Sequence, residues 1–212
     1  MNRNYSKIKE KNKQMPPIST HMHFGKNFIE NSDDEIDIRS YILGLVSPDT
    51  FNDDDSFEEF HYLDEDGNID VREFYEKFDL KKLNLQEKSF VLGYYCHLWF
   101  DEYYKFNASK LTVHNSHDLS DDELSVAVKN TFKYYDANAI GSYYEKLKKD
   151  IKDYKININL KEIQNISIKK AKEKINEYFS EPVPENVYTD LINEEEYISF
   201  IKKSCSKIIK SL

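Results

Sequence analysis

Apolar and polar positions follow a helical period in the longest uninterrupted segments of the chain. The segment EKSFVLGYYCHLWFDEYYKF, residues 87–106, carries aromatic residues on almost every face and contains no proline, which is typical of a buried central helix. The segment IRSYILGLV, residues 38–46, is densely apolar and stops at Ser47-Pro48, because proline restricts the residue before it. These two patterns predict a pair of core helices.

Further helices are predicted on both sides of this pair. Ser120 and Glu123 have the spacing of a capping box, which marks the start of a helix. The other segments with helical spacing are residues 20–29, 139–154, 166–179 and 194–212, with EPVPENV as a linker before the last. We therefore predict an all-α fold with a single multi-helix domain over residues 15–212, after a disordered basic tail at residues 1–14.

Composition and charge narrow the possible functions. The formal net charge of −9 argues against an extended nucleic-acid surface, because such surfaces depend on Lys and Arg facing phosphates. Cys96 and Cys205 are too few for a disulfide framework, which favours a reducing compartment. The sequence also lacks the apolar run of a secretory signal and any window apolar enough for a transmembrane segment. We therefore expect a cytoplasmic protein.

The stretch HYLDEDGNIDVREF, residues 61–74, looks at first like a calcium-binding EF-hand loop. Such a loop needs a glycine at position 6 and a bidentate carboxylate at position 12. Counted from Asp64, Ile69 stands at the glycine position, and Glu73 falls two residues short of the carboxylate position. Asp70 and Glu73 instead have the spacing of a helix N-cap and its third residue. We predict that the acidic residues form a solvated turn followed by a capped helix. The candidate metal ligand in this stretch is its first residue, His61.

A candidate metal-binding set includes the central predicted helix. His97 and Asp101 lie four residues apart, so both side chains share one helix face and can reach one ion. Alone, this spacing is explained equally well by a metal site and by a simple hydrogen bond between the histidine and the aspartate. Asp49, which follows an apolar helix, and two more histidines, His61 and His21, strengthen the metal interpretation. Zinc accepts such nitrogen and oxygen ligands, and iron or manganese accepts the same set.

Four segments, in this order, carry a family resemblance: PPISTHMHF, ILGLVSPD, FHYLDED and VLGYYCHLWFDEYY. They resemble the zinc-dependent phospholipase C family, in particular its short bacterial hydrolase branch, which shares a superfamily with zinc-dependent single-strand nucleases. The specific parts are the Gly-x-x-x-Pro-Asp segment and the Gly-x-x-x-His-x-x-x-Asp helix. The resemblance implies an all-α fold that presents a cluster of metals for the hydrolysis of phosphodiester bonds.

The resemblance also implies roles for individual residues. Asp49, His61, His97 and Asp101 match the ligands of one metal. His21 matches the histidine of a neighbouring metal, and Asp101 would bridge the two. The implied cofactor is one or two zinc ions, and the implied nucleophile is a metal-bound water held by Asp49 and Asp101. The expected substrate is a small phosphate ester.

The chain departs from the family pattern in two places. Asn107 stands where the family has a histidine ligand of a further metal. His114, His117 and Asp118 form a possible additional metal site, although their polar loop equally suits the entry to a capped helix. The N-terminal amine that is a ligand in secreted members is expected to be lost, and translation could start at Met1 or at Met15.

Two alternative functions stay open at this point. His117 and Asp118 also form the doublet of HD-type metal phosphohydrolases, which carry it in an apolar helical setting. A non-catalytic helical domain with a structural metal is the second alternative, although structural zinc sites are often rich in sulfur. A zinc-dependent phosphoric-ester hydrolase is the function that we predict.

Overall fold

The computed structural model describes residues 15–185 and 187–212, and helices are their only regular elements. The predicted basic tail, residues 1–14, lies outside the described residues. The eight α-helices of the described residues are α1 (Ile18–Asn31), α2 (Ile38–Val46), α3 (Asp54–Phe60), α4 (Val71–Glu76), α5 (Leu85–Asn107), α6 (Asp121–Lys152), α7 (Ile168–Ser180) and α8 (Glu194–Ser211). The prediction of an all-α fold is confirmed, and the elements form one compact domain.

Capping side chains set where several helices begin. The carboxylate of Asp70 accepts a hydrogen bond from the backbone N–H of Glu73 at 2.7 Å, which confirms Asp70 as the N-cap of α4. The carboxylate of Glu123 accepts from the backbone N–H of Ser120 at 2.9 Å, as the capping-box spacing predicts. From there α6 continues as one 32-residue helix, so the segment at 139–154 is its second half.

The predicted core helices, α2 and α5, cross in direct backbone contact. A Cβ atom at Gly44 would lie 2.0 Å from the carbonyl oxygen of Phe90. A Cβ atom at Gly93 would lie 2.0 Å from the carbonyl oxygen of Tyr41. Since no side chain fits in these gaps, glycine at both positions permits the close approach. Most of residues 89–101 of α5 are buried by this contact and by the surrounding helices.

The remaining long helices surround this central pair. Helix α1 packs against α2 and α5 on one side and against α6 and α8 on the other. Helix α7 packs against the 3-10 turn Ser47–Thr50, which continues directly from α2. Helix α1, from the first half of the chain, therefore contacts α6 and α8 from the second half, and α5 also contacts α8. None of the described helices combines the length and the apolar character that crossing a membrane requires.

Candidate metal centre

The structure brings together the five residues that the resemblance singles out as metal ligands. His21 lies in the first turns of α1, Asp49 in the 3-10 turn after α2, and His61 at the end of α3. His97 and Asp101 lie one turn apart on α5. Nε2 of His21 is 3.0 Å from Oδ1 of Asp101, and Nε2 of His97 is 3.0 Å from Oδ2. Asp101 is therefore the centre of the cluster.

His61 and Asp49 complete the cluster on one side of Asp101. Nε2 of His61 lies 3.7 Å from Oδ2 of Asp101 and 3.9 Å from Oδ1 of Asp49. Two groups result, in each of which one atom per residue lies within 4.8 Å of the others: His21, His97 and Asp101, and Asp49, His61 and His97. These distances are short enough for a single ion to contact every member of a group.

Backbone carbonyls fix the orientation of two of the imidazole rings. Nδ1 of His97 donates to the carbonyl oxygen of Leu45 at 2.8 Å, and Nδ1 of His61 donates to that of Phe57 at 3.0 Å. A carbonyl only accepts, so the proton is assigned to Nδ1 and the lone pair to Nε2. In metal sites a ligating histidine is usually oriented by such a second hydrogen bond. Both rings therefore turn Nε2 toward Asp101.

The close crossing of α2 and α5 is what brings the Leu45 carbonyl to His97. Leu45 follows Gly44, whose missing side chain lets the α2 backbone approach α5. His97 lies one turn after Gly93, the glycine on the α5 side of the crossing. Gly44 and Gly93 thus help to position the ring of His97, although they make no contact with it through side chains.

Two polar atoms at the centre are buried without a hydrogen bond. Within the described part of the chain, Nε2 of His97 and Oδ1 of Asp101 make no hydrogen bond. Nε2 of His97 lies 3.0 Å from Oδ2 of Asp101, and Oδ1 of Asp101 lies 3.0 Å from Nε2 of His21. The atoms of each pair are close, but they lack the alignment that a hydrogen bond requires. A bound cation would satisfy both, because ligand atoms point at the ion rather than at each other. The residues therefore fit a metal.

Burial and charge shift the titration of the central groups in the metal-free protein. Burial opposes the charge of Asp101, but the neighbouring His97 and His21 outweigh it and hold the pKa of Asp101 well below its usual range. Burial lowers the pKa of His97, but the Asp101 carboxylate outweighs burial and the net pKa is raised. Burial also lowers the pKa of His61, and there it prevails over Asp101. The carboxylate of Asp101 thus favours the protonated form of His97 over its neutral form.

The cluster has apolar walls and one exposed edge. The side chain of Asp49 is 25% exposed, whereas those of the other four residues of the cluster are at most 2% exposed. The ring of Phe57 lies 4.2 Å from that of His61, and the ring of Phe100 meets His21 edge-on at 5.5 Å. Water therefore has access at Asp49, while the rest of the cluster is shielded from solvent.

The polar loop before α6 is not joined to this cluster. Nε2 of His114 lies 3.5 Å from a carboxylate oxygen of Glu196, and Nε2 of His117 lies 2.8 Å from Oδ1 of Asp190. His117 and Asp118 have positive φ angles of 51° and 56°, so the doublet occupies a tight turn and not a helix. Among the described residues, this loop contributes to neither group of three potential metal ligands.

Two other regions of interest from the sequence have protein partners. The Asn107 side chain donates to the carbonyl oxygen of Tyr103 at 2.7 Å and closes the end of α5. In the acidic turn, Asp64 accepts from the backbone N–H of Asn68 at 2.8 Å, and the Lys105 ammonium lies 2.8 Å from Oδ1 of Asn68. The ammonium of Lys105 thus already occupies a place beside this turn.

A second buried carboxylate, Asp136 of α6, was not identified from the sequence. It accepts hydrogen bonds from Thr20, His23 and Tyr197, and it is fully buried. In the segment TFKYYDANAI nothing marks this aspartate as different from an exposed helix residue. Its partners lie more than 60 residues away along the chain, so no local spacing could reveal them.

Comparison of the chain with protein-family models, curated proteins and solved structures found no match in any of the three. The cluster combines three converging imidazoles, a buried carboxylate with one oxygen that lacks a hydrogen bond, and a second carboxylate at a solvent-exposed edge.

Proposed function

We propose that the chain is a metal-dependent hydrolase of small phosphate esters, with zinc as the metal. The observation that carries the proposal is the convergence of three imidazole Nε2 atoms on the buried carboxylate of Asp101, where Nε2 of His97 and Oδ1 of Asp101 lack hydrogen bonds. A nitrogen and oxygen donor set of this kind suits zinc, and iron or manganese would bind to the same atoms. The resemblance to the zinc-dependent phospholipase C family supports a phosphodiester as the substrate.

The geometry favours a pair of sites that share Asp101. His97 offers only Nε2, because its Nδ1 donates to a carbonyl, so it can serve only one of two ions. Asp101 has two oxygens, Oδ1 beside His21 and Oδ2 beside His97 and His61. Asp49, His61 and His97 form one group of potential ligands, and we assign them to one ion together with Oδ2 of Asp101, which lies near both imidazoles. We assign His21 with Oδ1 of Asp101 to a second ion.

The residues of the chain divide the work of such a reaction between them. When bound, zinc supplies a Lewis acid and lowers the pKa of a water that it holds. The buried histidines and Asp101 fix the ligand directions before substrate arrives, so no reorganisation is needed. Asp49, at the exposed edge, can orient the attacking water and receive its proton. The apolar rings of Phe57 and Phe100 exclude other water from the centre.

Three observations bear on the alternatives and on the compartment. A structural zinc site is closed, whereas Asp49 leaves this cluster open to solvent, which favours catalysis over a non-catalytic role. The tight turn at His117 and Asp118 lacks the helical setting of an HD-type site. We place the activity in the cytoplasm, because Cys96 and Cys205 are free and buried, as in proteins whose thiols stay reduced.

The test combines metal analysis with an activity panel. Purified protein is analysed for transition metals and assayed on phosphodiesters, from aryl model substrates to phospholipids and nucleotides. We expect stoichiometric zinc and hydrolysis that is lost in His97→Ala but kept in Tyr95→Phe, a change outside the cluster on the same helix. Protein without stoichiometric metal, or a His97→Ala variant with unchanged hydrolysis, contradicts the proposal.

A further inference from the structure

The buried carboxylate of Asp136 closes a hydrogen-bond network between three helices. Oδ1 of Asp136 accepts from Oη of Tyr197 at 2.7 Å and from Nδ1 of His23 at 2.9 Å. Oδ2 accepts from Oγ1 of Thr20 at 3.0 Å, and Thr20 and Tyr197 are themselves 2.9 Å apart. The network therefore joins the first turns of α1 to α6 and α8 through directional bonds.

A carboxylate is a costly way to hold helices together. Moving its charge out of water carries a large desolvation penalty, and apolar packing gives cohesion without it. What three directional bonds add is a defined rotation and register of the helix that supplies two of the donors. Here that helix is α1, since Thr20 and His23 both belong to it. Pro17, the N-cap of α1, makes no side-chain capping bond. Oη of Tyr144 on α6 donates to the carbonyl oxygen of Met22 at 2.8 Å, so α1 has a further directional bond to α6 beside the Asp136 network.

His21 is the metal-cluster residue that needs an anchored helix. His97 and His61 each have a carbonyl that orients the ring, whereas Nδ1 of His21 is buried and has no hydrogen-bond partner among the described residues. The His21 ring is held by stacking on His97, with centroids 3.9 Å apart, and by the backbone of α1. The direction of its Nε2 therefore depends on the rotation of α1.

Thr20 is the direct link between the two regions. It precedes His21 in the chain, so the bond from Thr20 to Asp136 fixes the peptide unit from which the His21 side chain projects. Successive helix residues point about 100° apart, so Thr20 and His23 face Asp136 while His21 faces Asp101. We propose that Asp136 is a positioning residue for His21: it sets the register of α1 and thereby the affinity of the metal centre. This inference rests on the metal centre proposed above.

The test measures affinity for zinc alone, by competition with a chromophoric chelator, in the full-length chain. Thr20→Val keeps the shape and removes the hydroxyl, and we expect it to weaken zinc binding roughly tenfold, as loss of orienting partners does elsewhere. Asp136→Asn should act in the same direction. The matched control is Tyr135→Phe, which removes hydrogen bonds from the α6 hydroxyl to the backbone carbonyls of Thr189 and Ile192, neither of which belongs to α1. We expect the control to bind zinc as the unmodified chain does.

A double-mutant cycle separates positioning from general loosening. In a His21→Ala background the ligand is gone, so Thr20→Val should have no further effect on zinc affinity. Equal affinities of Thr20→Val and the unmodified chain, or an undiminished effect in the His21→Ala background, overturn the inference alone. If the effect of Thr20→Val on zinc affinity depends on His21 as expected but the protein has no hydrolase activity, only the proposed reaction is overturned. A chain that binds no zinc overturns both.

Discussion

Two buried aspartates, Asp101 and Asp136, face opposite sides of α1 and use their surroundings differently. Both carboxylates are almost fully buried and both have histidine neighbours within 3.0 Å. Asp136 accepts aligned bonds from three donors, so its network is complete within the protein. At Asp101 equally short distances occur without alignment, and Oδ1 is left without a hydrogen bond.

The difference shows that distance alone does not separate a structural network from a metal centre. At Asp136 each donor points at an oxygen, which is the geometry of hydrogen bonds. At Asp101 the imidazoles of His97 and His61, each tied through Nδ1 to a carbonyl, point Nε2 toward a shared space. The first arrangement is satisfied as it stands, and the second would be satisfied by a cation.

The largest expected effect is on stability, and it belongs to Asp136. Asp136→Ala removes the shared acceptor of three buried donors, so we expect the free energy of unfolding to fall by about 3–5 kcal/mol. Urea denaturation of chelator-treated protein measures it, with the exposed Asp150→Ala on the same helix as the control. Asp101→Ala should cost less, because the donors around Asp101 are not aligned with it. A loss as small as that of the control would refute the structural role of Asp136.

The next effect is stabilisation by zinc, and it belongs to Asp101. A ligand that binds only the folded state stabilises it by about 2.7 kcal/mol at 100 times its dissociation constant. We expect this gain in the unmodified chain and its absence in Asp101→Asn. Thermal unfolding with and without zinc measures the gain. If Asp101→Asn is stabilised as much as the unmodified chain, zinc does not bind at this cluster.

A smaller effect is expected where α2 and α5 cross. Gly93→Ala places a methyl group against the carbonyl oxygen of Tyr41 and should cost about 2 kcal/mol of stability, because the backbone must shift. The shift also moves the Leu45 carbonyl away from His97, so zinc affinity should fall. Gly141→Ala on α6 is the matched control, since nothing lies within 4 Å of its added Cβ. Equal zinc affinity in both variants would show that the crossing does not position His97.

The smallest effect is the pH dependence of the metal-free cluster. The raised pKa of His97 means that the folded state holds this proton more tightly than the unfolded chain does. The resulting stability is present below about pH 6.5, the ordinary histidine pKa, and is lost as pH rises through the raised value. The difference in unfolding free energy between the unmodified chain and His97→Gln, measured against pH in chelator, should therefore shrink with rising pH. A difference that grows instead would contradict the assigned ion pair.

The helical content could be predicted from sequence because apolar period and capping are local properties. The α5 segment and the Asp70 cap were read from residues within one or two turns of each other. Helix α3 was not predicted, since Asp54–Phe60 is short and mostly acidic and its phenylalanines pack only in the folded state. The 32-residue continuity of α6 does not follow from the sequence, because no local residue decides whether two helical segments join.

The candidate site was predictable only in part. His97 and Asp101 share a helix face, so their proximity follows from spacing alone. The approach of His21 and His61 to Asp101 depends on how separate helices pack, and only the family resemblance suggested it. The orienting carbonyls and the Asp136 network could not be read from the sequence, because backbone acceptors and partners distant in the chain leave no residue pattern.

The most direct test of the metal centre is an anomalous difference map, recorded at the zinc absorption edge from crystals of the purified protein. We predict a peak about 2.0–2.2 Å from Oδ2 of Asp101 and from Nε2 of His97, and none beside Asp136. A map without a peak at Asp101, or with its only peak in the loop of His114 and His117, would contradict the assignment of this cluster as the metal centre.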